Sequence, residues 1–281
     1  MEQSILSEIS DIFNDVKSLK PLVHHITNYV TANDCANIVL AVGASPVMAD
    51  DPEEVEEVVS LSQALVINLG TLSKRTAESM LRAGKKANEL GIPVILDPVG
   101  AGAISCRNRT AEKIIQNVKL SVIRGNMSEI KAIAGLGSST RGVDASEHDI
   151  NSSNDLRYVK NISESLSEKF GCVIAITGTT DIVSDGRKTV FIRNGDKMFS
   201  SITGTGCMCT SLIGTFCAVC GNYLKAASAG ILALCIAGEK AIENLMGTEF
   251  GSGSFRTFLI DSVFNLQKKD FLERGKIDVS L

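Results

Sequence analysis

Residues 64–69 read Ala-Leu-Val-Ile-Asn-Leu, a short apolar run that does not alternate with polar residues. Such a run is typical of a strand in a parallel sheet, because helices cover both faces of that sheet. Residues 93–96, 120–123 and 172–176 have the same character. The chain is therefore predicted to contain a parallel sheet.

Helical periodicity separates these runs. Apolar residues recur at a spacing of about 3.6 residues over 5–16, 76–90 and 226–245. The order strand, helix, strand repeats at least three times, which predicts an α/β fold with a mostly parallel, doubly wound sheet flanked by helices. Residues 181–184 and 188–193 predict an antiparallel hairpin at a sheet edge. The final third of the chain is predicted to be predominantly helical.

A polar stretch at residues 135–155, rich in Gly and Ser, is the one candidate for a domain linker. Strand-like segments of the same character lie on both sides of it, and a long loop inside an α/β domain is often functional. We therefore predict a single domain over residues 1–281. No conformation or role is assigned to the 136–155 loop.

Composition and charge limit the classes of function. The 281 residues include 28 basic and 32 acidic side chains, a net charge of −4, which argues against nucleic acid as a partner. The N-terminal segment lacks the basic start and apolar centre of a signal peptide. Residues 226–238 are apolar but shorter than the roughly 20 residues that cross a bilayer. We expect a cytoplasmic protein with no membrane contact.

The eight cysteines fit a reduced, cytosolic setting. Cys217 and Cys220 are spaced as C-x-x-C, but no second Cys or His pair follows them. The pair is also predicted to lie well inside a helix, away from the helix N-terminus that activates redox thiols. Structural thiols are therefore favoured over zinc or redox chemistry.

Polar and glycine-rich residues follow four of the predicted strands. Ligands of open α/β sheets bind beyond the C-terminal strand ends, so we expect these junctions to converge. The strongest local signal is Thr203-Gly204-Thr205-Gly206-Cys207, which opens an apolar helix. Glycines admit close backbone approach and a helix N-terminus attracts anions, so this loop suits a phosphate. A tight strand-to-helix turn is the alternative, and neither a Walker A sequence nor GxGxxG is present.

Several of these side chains have two interpretations each. At the helix start Cys207 could be a thiolate base or nucleophile, or a small packed residue. Asn126 and Glu129 have the spacing of a helix cap, while Glu129 and Asp97 also offer oxygen ligands for Mg²⁺. Arg124 could pair with a nucleotide phosphate or could be a surface cation.

Two segments near the N-terminus are also candidates. Asn28 follows the pair His24 and His25 and could recognise a heteroatom of a ligand; neither histidine is assigned a catalytic role. Met48 is interpreted as a residue that fills apolar space, and the alternative interpretation is that it forms a wall of a substrate pocket.

Together, these ordered motifs resemble the hydroxyethylthiazole kinase family, thiamine-salvage enzymes of the ribokinase-like superfamily. The resemblance covers nearly the whole chain, and it is specific because several motifs occur in order. The motifs that carry it are His25-Ile26-Thr27-Asn28, Gly43-Ala44-Ser45-Pro46-Val47-Met48, Asn68-Leu69-Gly70-Thr71-Leu72, Leu96-Asp97-Pro98-Val99-Gly100-Ala101-Gly102, Ile123-Arg124-Gly125-Asn126 with Glu129, and Thr203-Gly204-Thr205-Gly206-Cys207.

The resemblance implies ATP-dependent phosphorylation of 4-methyl-5-(2-hydroxyethyl)thiazole on its primary alcohol. It also implies Mg²⁺ and a homotrimer with active sites near the subunit interfaces. By position, the resemblance implies that Met48 and Gly204 bind the thiazole, with Asn28 as a further candidate. It implies that Arg124, Thr177 and Asn126 bind ATP. Asp97 and Glu129 are implied to lie around the metal and the phosphates.

Cys207 falls where related sugar and pyrimidine kinases are expected to carry an Asp base. Phosphoryl transfer passes through a loose transition state, so positioning and charge neutralisation matter more than strong proton abstraction. We therefore expect the amides of Gly204, Thr205, Gly206 and Cys207 to stabilise the moving phosphoryl group, with Cys207 near the alcohol. A kinase for hydroxymethylpyrimidine or another small alcohol, and a non-catalytic nucleotide-binding regulator, are the alternative functions.

Overall fold

Nine strands run through residues 2–136, 153–247 and 249–280, which are the residues that the computed structural model describes. The strands are β1 (Leu22–Ile26), β2 (Ser45–Met48), β3 (Ala64–Asn68), β4 (Val94–Asp97), β5 (Val122–Asn126), β6 (Val173–Thr177), β7 (Asp181–Ser184), β8 (Thr189–Ile192) and β9 (Ile277–Ser280). They form one sheet in the order β2-β1-β3-β4-β5-β6-β7-β8-β9. β1 to β6 pair in parallel, and β7 to β9 continue the sheet in antiparallel pairs. The predicted mostly parallel α/β sheet is confirmed.

Helices cover both faces of this sheet. The helices are α1 (Glu2–Leu19), α2 (Ala32–Val42), α3 (Val55–Leu61), α4 (Lys74–Leu90), α5 (Ser105–Asn117), α6 (Met127–Ala134), α7 (Ser153–Phe170), α8 (Thr205–Cys217), α9 (Tyr223–Leu245), α10 (Ser252–Phe264) and α11 (Lys268–Arg274), with a 3₁₀ helix at Lys197–Ser201. Among the described residues, no helix is both long enough and apolar enough to cross a membrane.

The continuous apolar runs are explained by two cores, one on each face. In β3, Val66 packs with the cluster that contains residues of α1, α2, α8 and α9. Its neighbours Leu65 and Ile67 pack with the cluster that contains residues of α3, α4 and α5. Because successive side chains of a strand point to opposite faces, a strand buried on both sides needs apolar residues at every position.

Parallel pairing brings the strand ends to one edge of the sheet. Asn68 at the end of β3 is in register with Asp97 at the end of β4. Asn126 at the end of β5 is in register with Thr177 at the end of β6. Polar residues that are far apart in the sequence therefore become neighbours at this C-terminal edge.

The predicted hairpin is correct in its pairing and wrong in its position. β7 and β8 pair antiparallel, with Val183 opposite Val190. However, β9 pairs with β8 on the outer side, with Val190 opposite Val279, so the hairpin is not at the edge. The strand β9 was missed because its four residues near the C-terminus include Asp278 and Ser280, and so form no apolar run.

Two further expectations concern helices and loops. Cys217 is the last residue of α8 and Cys220 lies beyond it, so the C-x-x-C pair is not well inside a helix as predicted. It still lies far from the N-terminus that would activate a thiol. Most of the 136–155 loop, residues 137–152, lies outside the described residues.

Candidate active site

The C-terminal edge of the sheet gathers most of the residues that the sequence singled out. β3, β4 and β6 supply polar side chains from their last residues, β5 supplies Arg124 from its middle residue, and the start of α8 lies against them. The residues joined there by hydrogen bonds, ion pairs or close approach are Asn28, Asn68, Asp97, Arg124, Thr177, Gly206, Cys207 and Thr210. We call these eight residues the edge cluster.

Asp97 is the fully buried carboxylate of the edge cluster. Its Oδ2 accepts hydrogen bonds from Asn68 Nδ2 at 3.1 Å and from the Thr210 hydroxyl at 2.7 Å. The same oxygen lies 3.7 Å from Arg124 Nη1. Burial raises the pKa of Asp97, and the arginine and the two donors partly offset that rise. Its Oδ1 is buried and has no hydrogen-bond partner among the described residues.

Arg124 joins this carboxylate to the next strand. Its Nη2 donates to the hydroxyl of Thr177 on β6. The arginine side chain is only 11% exposed, so it is not the surface cation that was one of its two interpretations. Its Nε is buried without a hydrogen-bond partner in the described chain. A guanidinium with spare donors beside a strand end is suited to a phosphate.

Glu129 forms the predicted helix cap with Asn126. The Asn126 side chain accepts from the Glu129 amide, and the Asn126 amide donates to Glu129 Oε2, each at 2.9 Å. Glu129 Oε1 also accepts from the amide of Gly100, at 2.9 Å, which ties α6 to the turn after β4. Burial raises the pKa of Glu129 to about 7, and the nearby charge of Asp97 adds to the rise.

Cys207 lies in the first turn of α8, and two amide side chains surround its sulfur. Asn28 Nδ2 lies 3.4 Å and Asn68 Nδ2 lies 3.3 Å from Sγ, both in donor geometry. Burial raises the pKa of Cys207, and the charge of Asp97 raises it further. The helix dipole was expected to favour a thiolate. Its effect is outweighed here, because removal from water disfavours the charged form more strongly.

Asn68 and Thr210 were missed as site residues. Asn68 bridges the cluster, accepting from Asn28 Nδ2 at 3.0 Å and donating to Asp97. Its position directly before the turn after β3 was a signal available in the sequence. Thr210 lies one turn beyond Cys207 on α8, and a polar residue on that face of a buried helix was the second available signal.

Two glycines of the glycine loop, residues 203–207, lie too close to neighbouring residues to carry a side chain. Gly204 has φ of +89° and precedes α8 as its N-cap. A Cβ at Gly204 would lie 2.6 Å from Thr31 Cγ2, and a Cβ at Gly206 would lie 2.6 Å from Arg124 Nη1. The hydroxyl of Thr205 donates to the carbonyl of Phe199 at 3.2 Å. The first amides of α8 have no partner within the helix, so the loop presents an anion receptor beside Arg124.

A cavity of about 580 Å³ adjoins the glycine loop on the side of β6. Its lining includes Arg124, Thr177 and Gly206 together with apolar side chains such as Phe199 and Leu234. A pocket that combines cationic, hydroxyl and apolar groups is suited to a ligand that has both phosphate groups and an aromatic base.

Not every predicted residue joins the edge cluster. Met48 ends β2 and is 37% exposed. Within the residues that the structure describes, it makes no hydrogen bond or ion pair with the edge cluster. His24 and His25 are buried in β1 and bond to backbone carbonyls, His24 to that of Ala49 at 2.8 Å. Burial lowers the pKa of both histidines, so neither acts as a charged group here.

A divalent cation fits the carboxylates at this edge, although no set of three or more His, Cys, Asp or Glu side chains within the described residues could hold one alone. Asp97 has a buried oxygen without a partner. Burial raises the pKa of Glu129 and the charge of Asp97 adds to the rise, so the two carboxylates interact unfavourably and a bound cation would relieve this. Mg²⁺ needs only one or two protein carboxylates when phosphate oxygens and water complete its shell.

The chain is similar to known kinases over almost its whole length. The model of the "Hydroxyethylthiazole kinase family" matches residues 13–269. A hydroxyethylthiazole kinase from Clostridium beijerinckii is 52% identical over 277 residues, which is 99% of each chain. The solved structure of hydroxyethylthiazole kinase from Pyrococcus horikoshii has a TM-score of 0.87 at 37% identity and covers 98% of this chain and 99% of its own. Pyridoxal kinase from Staphylococcus aureus, solved with AMP-PCP and pyridoxal, has a TM-score of 0.60 at 15% identity over 92% and 98% of the two chains, and shares the fold.

Proposed function

The chain belongs to the hydroxyethylthiazole kinase family, and we propose that the edge cluster and the glycine loop are where it transfers a phosphoryl group from ATP to a thiazole alcohol. The protein is a phosphotransferase with a ribokinase-like fold. Its reaction is the ATP-dependent phosphorylation of 4-methyl-5-(2-hydroxyethyl)thiazole on the primary alcohol, in thiamine salvage. The products are the thiazole phosphate and ADP.

The observation that carries the proposed site is the close approach of Gly206 to Arg124. A Cβ on Gly206 would lie 2.6 Å from Arg124 Nη1, so the first turn of α8 packs directly against the guanidinium. The same Nη1 lies 3.7 Å from Asp97 Oδ2. An anion receptor, a cation and a buried carboxylate therefore surround one reaction centre.

ATP occupies the cavity beside the glycine loop in this proposal. Arg124 and Thr177 bind its phosphates, and Asn126 at the start of α6 holds the adjoining turn. The apolar wall formed by Phe199 and Leu234 takes the base. This arrangement points the terminal phosphate toward the first amides of α8, where the fixed dipoles stabilise charge without reorganisation.

The alcohol lies on the opposite side of the loop, near Cys207. Asn28 and Asn68 hold the thiol in place through their side-chain amides. Gly204 keeps space open beside the thiazole ring, and Met48 forms an outer wall of the pocket. Because the transition state is loose, the alcohol keeps its proton until late, and a neutral thiol is a sufficient neighbour.

Mg²⁺ is the proposed metal, and Asp97 and Glu129 are the residues that would hold it. When bound, the ion neutralises charge on the phosphates and orients them. The role of the protein is to present Asp97 Oδ1, which lacks a protein partner, and to fix Glu129 through the amides of Gly100 and Asn126.

A homotrimer in the cytoplasm is the proposed state of the protein. Tyr29, directly after Asn28, is 83% exposed, and Val30 beside it is also exposed. In this proposal the trimer interface covers these two side chains, and sedimentation equilibrium would test the trimer. The described chain contains eight free cysteines, a pattern typical of a reducing compartment.

Product identification tests the proposed function directly. The purified protein is incubated with MgATP and the hydroxyethylthiazole, with hydroxymethylpyrimidine as a competing alcohol, and the products are identified by mass spectrometry. We expect the thiazole phosphate as the main product. A phosphorylated pyrimidine instead would favour the related-kinase alternative. ATP binding without any phosphorylated alcohol would favour the regulator.

A further inference from the structure

Helix α10 contacts the surroundings of the glycine loop through two adjacent residues. Phe255 packs edge-on against Phe199, with ring centroids 5.7 Å apart. The carbonyl of Phe199 in turn accepts a hydrogen bond from the hydroxyl of Thr205. The next residue, Arg256, donates its Nε–H to Asp34 Oδ1 at 2.8 Å, and its Nη2 donates to the same oxygen. α10 therefore contacts two residues, Phe199 and Asp34, that lie next to the glycine loop.

Asp34 is a buried carboxylate next to the start of α8. It lies in the first turn of α2, and its side chain is 7% exposed. Its Oδ2 lies 4.0 Å from the position that a Cβ would take on Gly204. Gly204 is the N-cap of α8, so this negative charge lies beside the amides that form the anion receptor.

A carboxylate at this place would weaken phosphate binding if its charge were not balanced. A like unit charge about 8–10 Å from a bound phosphate lowers affinity by at least roughly tenfold when the effective dielectric constant is about 20. Asp34 also has a favourable effect, because a carboxylate in the first turn stabilises its own helix, α2. A cation that pairs with Asp34 preserves that effect and removes the repulsion.

We propose that Arg256 is a positioning residue for phosphoryl transfer: its guanidinium cancels the charge of Asp34, so that the glycine loop continues to attract phosphate. This inference rests on the proposed function, since the anion receptor is the group that holds the moving phosphoryl group. The Arg256 side chain is 47% exposed but that of Asp34 is only 7% exposed, so removing Arg256 also leaves a buried carboxylate unpaired and lowers the free energy of unfolding. A purely structural role would weaken the binding of charged and neutral ligands alike, whereas the charge argument concerns phosphate alone.

The test compares Arg256→Ala and Arg256→Gln with Asp34→Asn and with the double variant Asp34→Asn/Arg256→Ala. Calorimetry measures binding of the thiazole phosphate and of the neutral thiazole alcohol, without ATP. Steady-state assays give kcat and KM, and thermal unfolding gives Tm. Arg82→Ala is the control, because it removes one positive charge from an exposed pair with Glu56.

The charge argument makes a distinctive prediction. Both single Arg256 variants bind the thiazole phosphate about tenfold more weakly and bind the neutral alcohol as the parent protein does. Their Tm falls because Asp34 is left buried and unpaired. The double variant regains the affinity for phosphate, and kcat/KM follows the same order. Arg82→Ala binds both ligands as the parent does.

Two results would overturn this role of Arg256. One is a double variant that binds phosphate as weakly as Arg256→Ala, since the ion pair itself would then be what matters. The other is an equal loss of affinity for the phosphate and the neutral alcohol. A parent protein that binds the thiazole phosphate but does not produce it would contradict the proposed function instead, and the binding comparison would still decide the role of Arg256.

Discussion

Replacing Gly206 by alanine tests whether the glycine loop and Arg124 act as one unit. The added Cβ would lie 2.6 Å from Nη1, 3.2 Å from Nη2 and 3.3 Å from Cζ of Arg124. The guanidinium cannot easily retreat, because Thr177 holds Nη2 and Asp97 attracts Nη1. The arginine must therefore move by several tenths of an ångström and lose part of its bonding.

The expected loss is large for catalysis and small for stability. Gly206 does not have a positive φ, so alanine fits the backbone, and alanine stabilises a helix by about 0.5–1 kcal/mol relative to glycine. A weakened hydrogen bond to a charged group costs about 1.5–3 kcal/mol. The free energy of unfolding is therefore expected to fall by about 0.5–2.5 kcal/mol. In contrast, a displacement of about 1 Å can lower kcat/KM by roughly 100-fold, so a shift of several tenths of an ångström in a phosphate-binding group is expected to lower it by about tenfold.

Steady-state kinetics and thermal unfolding of Gly206→Ala measure the two effects separately. Gly253→Ala is the matched control: Gly253 is the second residue of α10, as Gly206 is of α8, and no described atom lies within 4 Å of its Cβ position. We expect the control to keep the parent kcat/KM within about threefold. A Gly206→Ala enzyme with the kcat/KM of the control would refute the reasoning.

Substitutions at three other positions probe the same site. Burial holds the pKa of Glu129 at about 7, so we expect kcat/KM to rise with pH between 6 and 8 as the carboxylate forms; a Glu129→Gln enzyme with an unchanged pH profile would contradict this. Between about pH 4.5 and pH 7 the folded chain keeps the Glu129 proton while an unfolded chain has lost it, so the contribution of Glu129 to the free energy of unfolding falls as the pH rises through this range. A series of Tm measurements on the parent and on Glu129→Gln measures this fall. Cys207→Ala should lower turnover by removing the neighbour of the alcohol, and Cys207→Asp should lower it by adding a negative charge beside the glycine loop; unchanged turnover in both would remove Cys207 from the mechanism. Gly204 and Gly247 have φ of +89° and +88°, but only the Cβ position of Gly204 meets another residue. Gly204→Ala should therefore lose about 1–3 kcal/mol more of unfolding free energy than Gly247→Ala, and equal losses in Tm would count against the close contact.

The sequence was sufficient to predict the strands that are buried on both faces. β3, β4, β5 and β6 begin and end within three residues of the predicted runs, because continuous apolar residues between helices have few alternative structures. β1 and β2 were not predicted. Adjacent histidines, His24 and His25, interrupt the apolar pattern of β1, and Pro46 lies within the four residues of β2.

Within the site, local chemistry was easier to predict than its environment. The cap formed by Asn126 and Glu129 depends on residues three apart, and it is present in the structure. The state of Cys207 depends instead on how much protein covers it. A helix start favours a thiolate, but burial and Asp97 raise the pKa of Cys207, and neither can be read from a local motif. The contribution of Asn68 depends similarly on partners distant in sequence.

A neutral thiol at position 207 is consistent with the charges around it. Burial raises the pKa of Glu129 and the charge of Asp97 raises it further, so the two carboxylates interact unfavourably, and Arg124 is the cation bonded within the edge cluster. A thiolate would add a further negative charge to a buried site, and the approaching phosphates would add more. Since a loose transition state needs little proton abstraction from the alcohol, the site gains more from low negative charge near the glycine loop than from a strong base. The same reasoning explains Arg256: a carboxylate next to this loop, such as Asp34, is compatible with phosphate binding when a cation pairs with it.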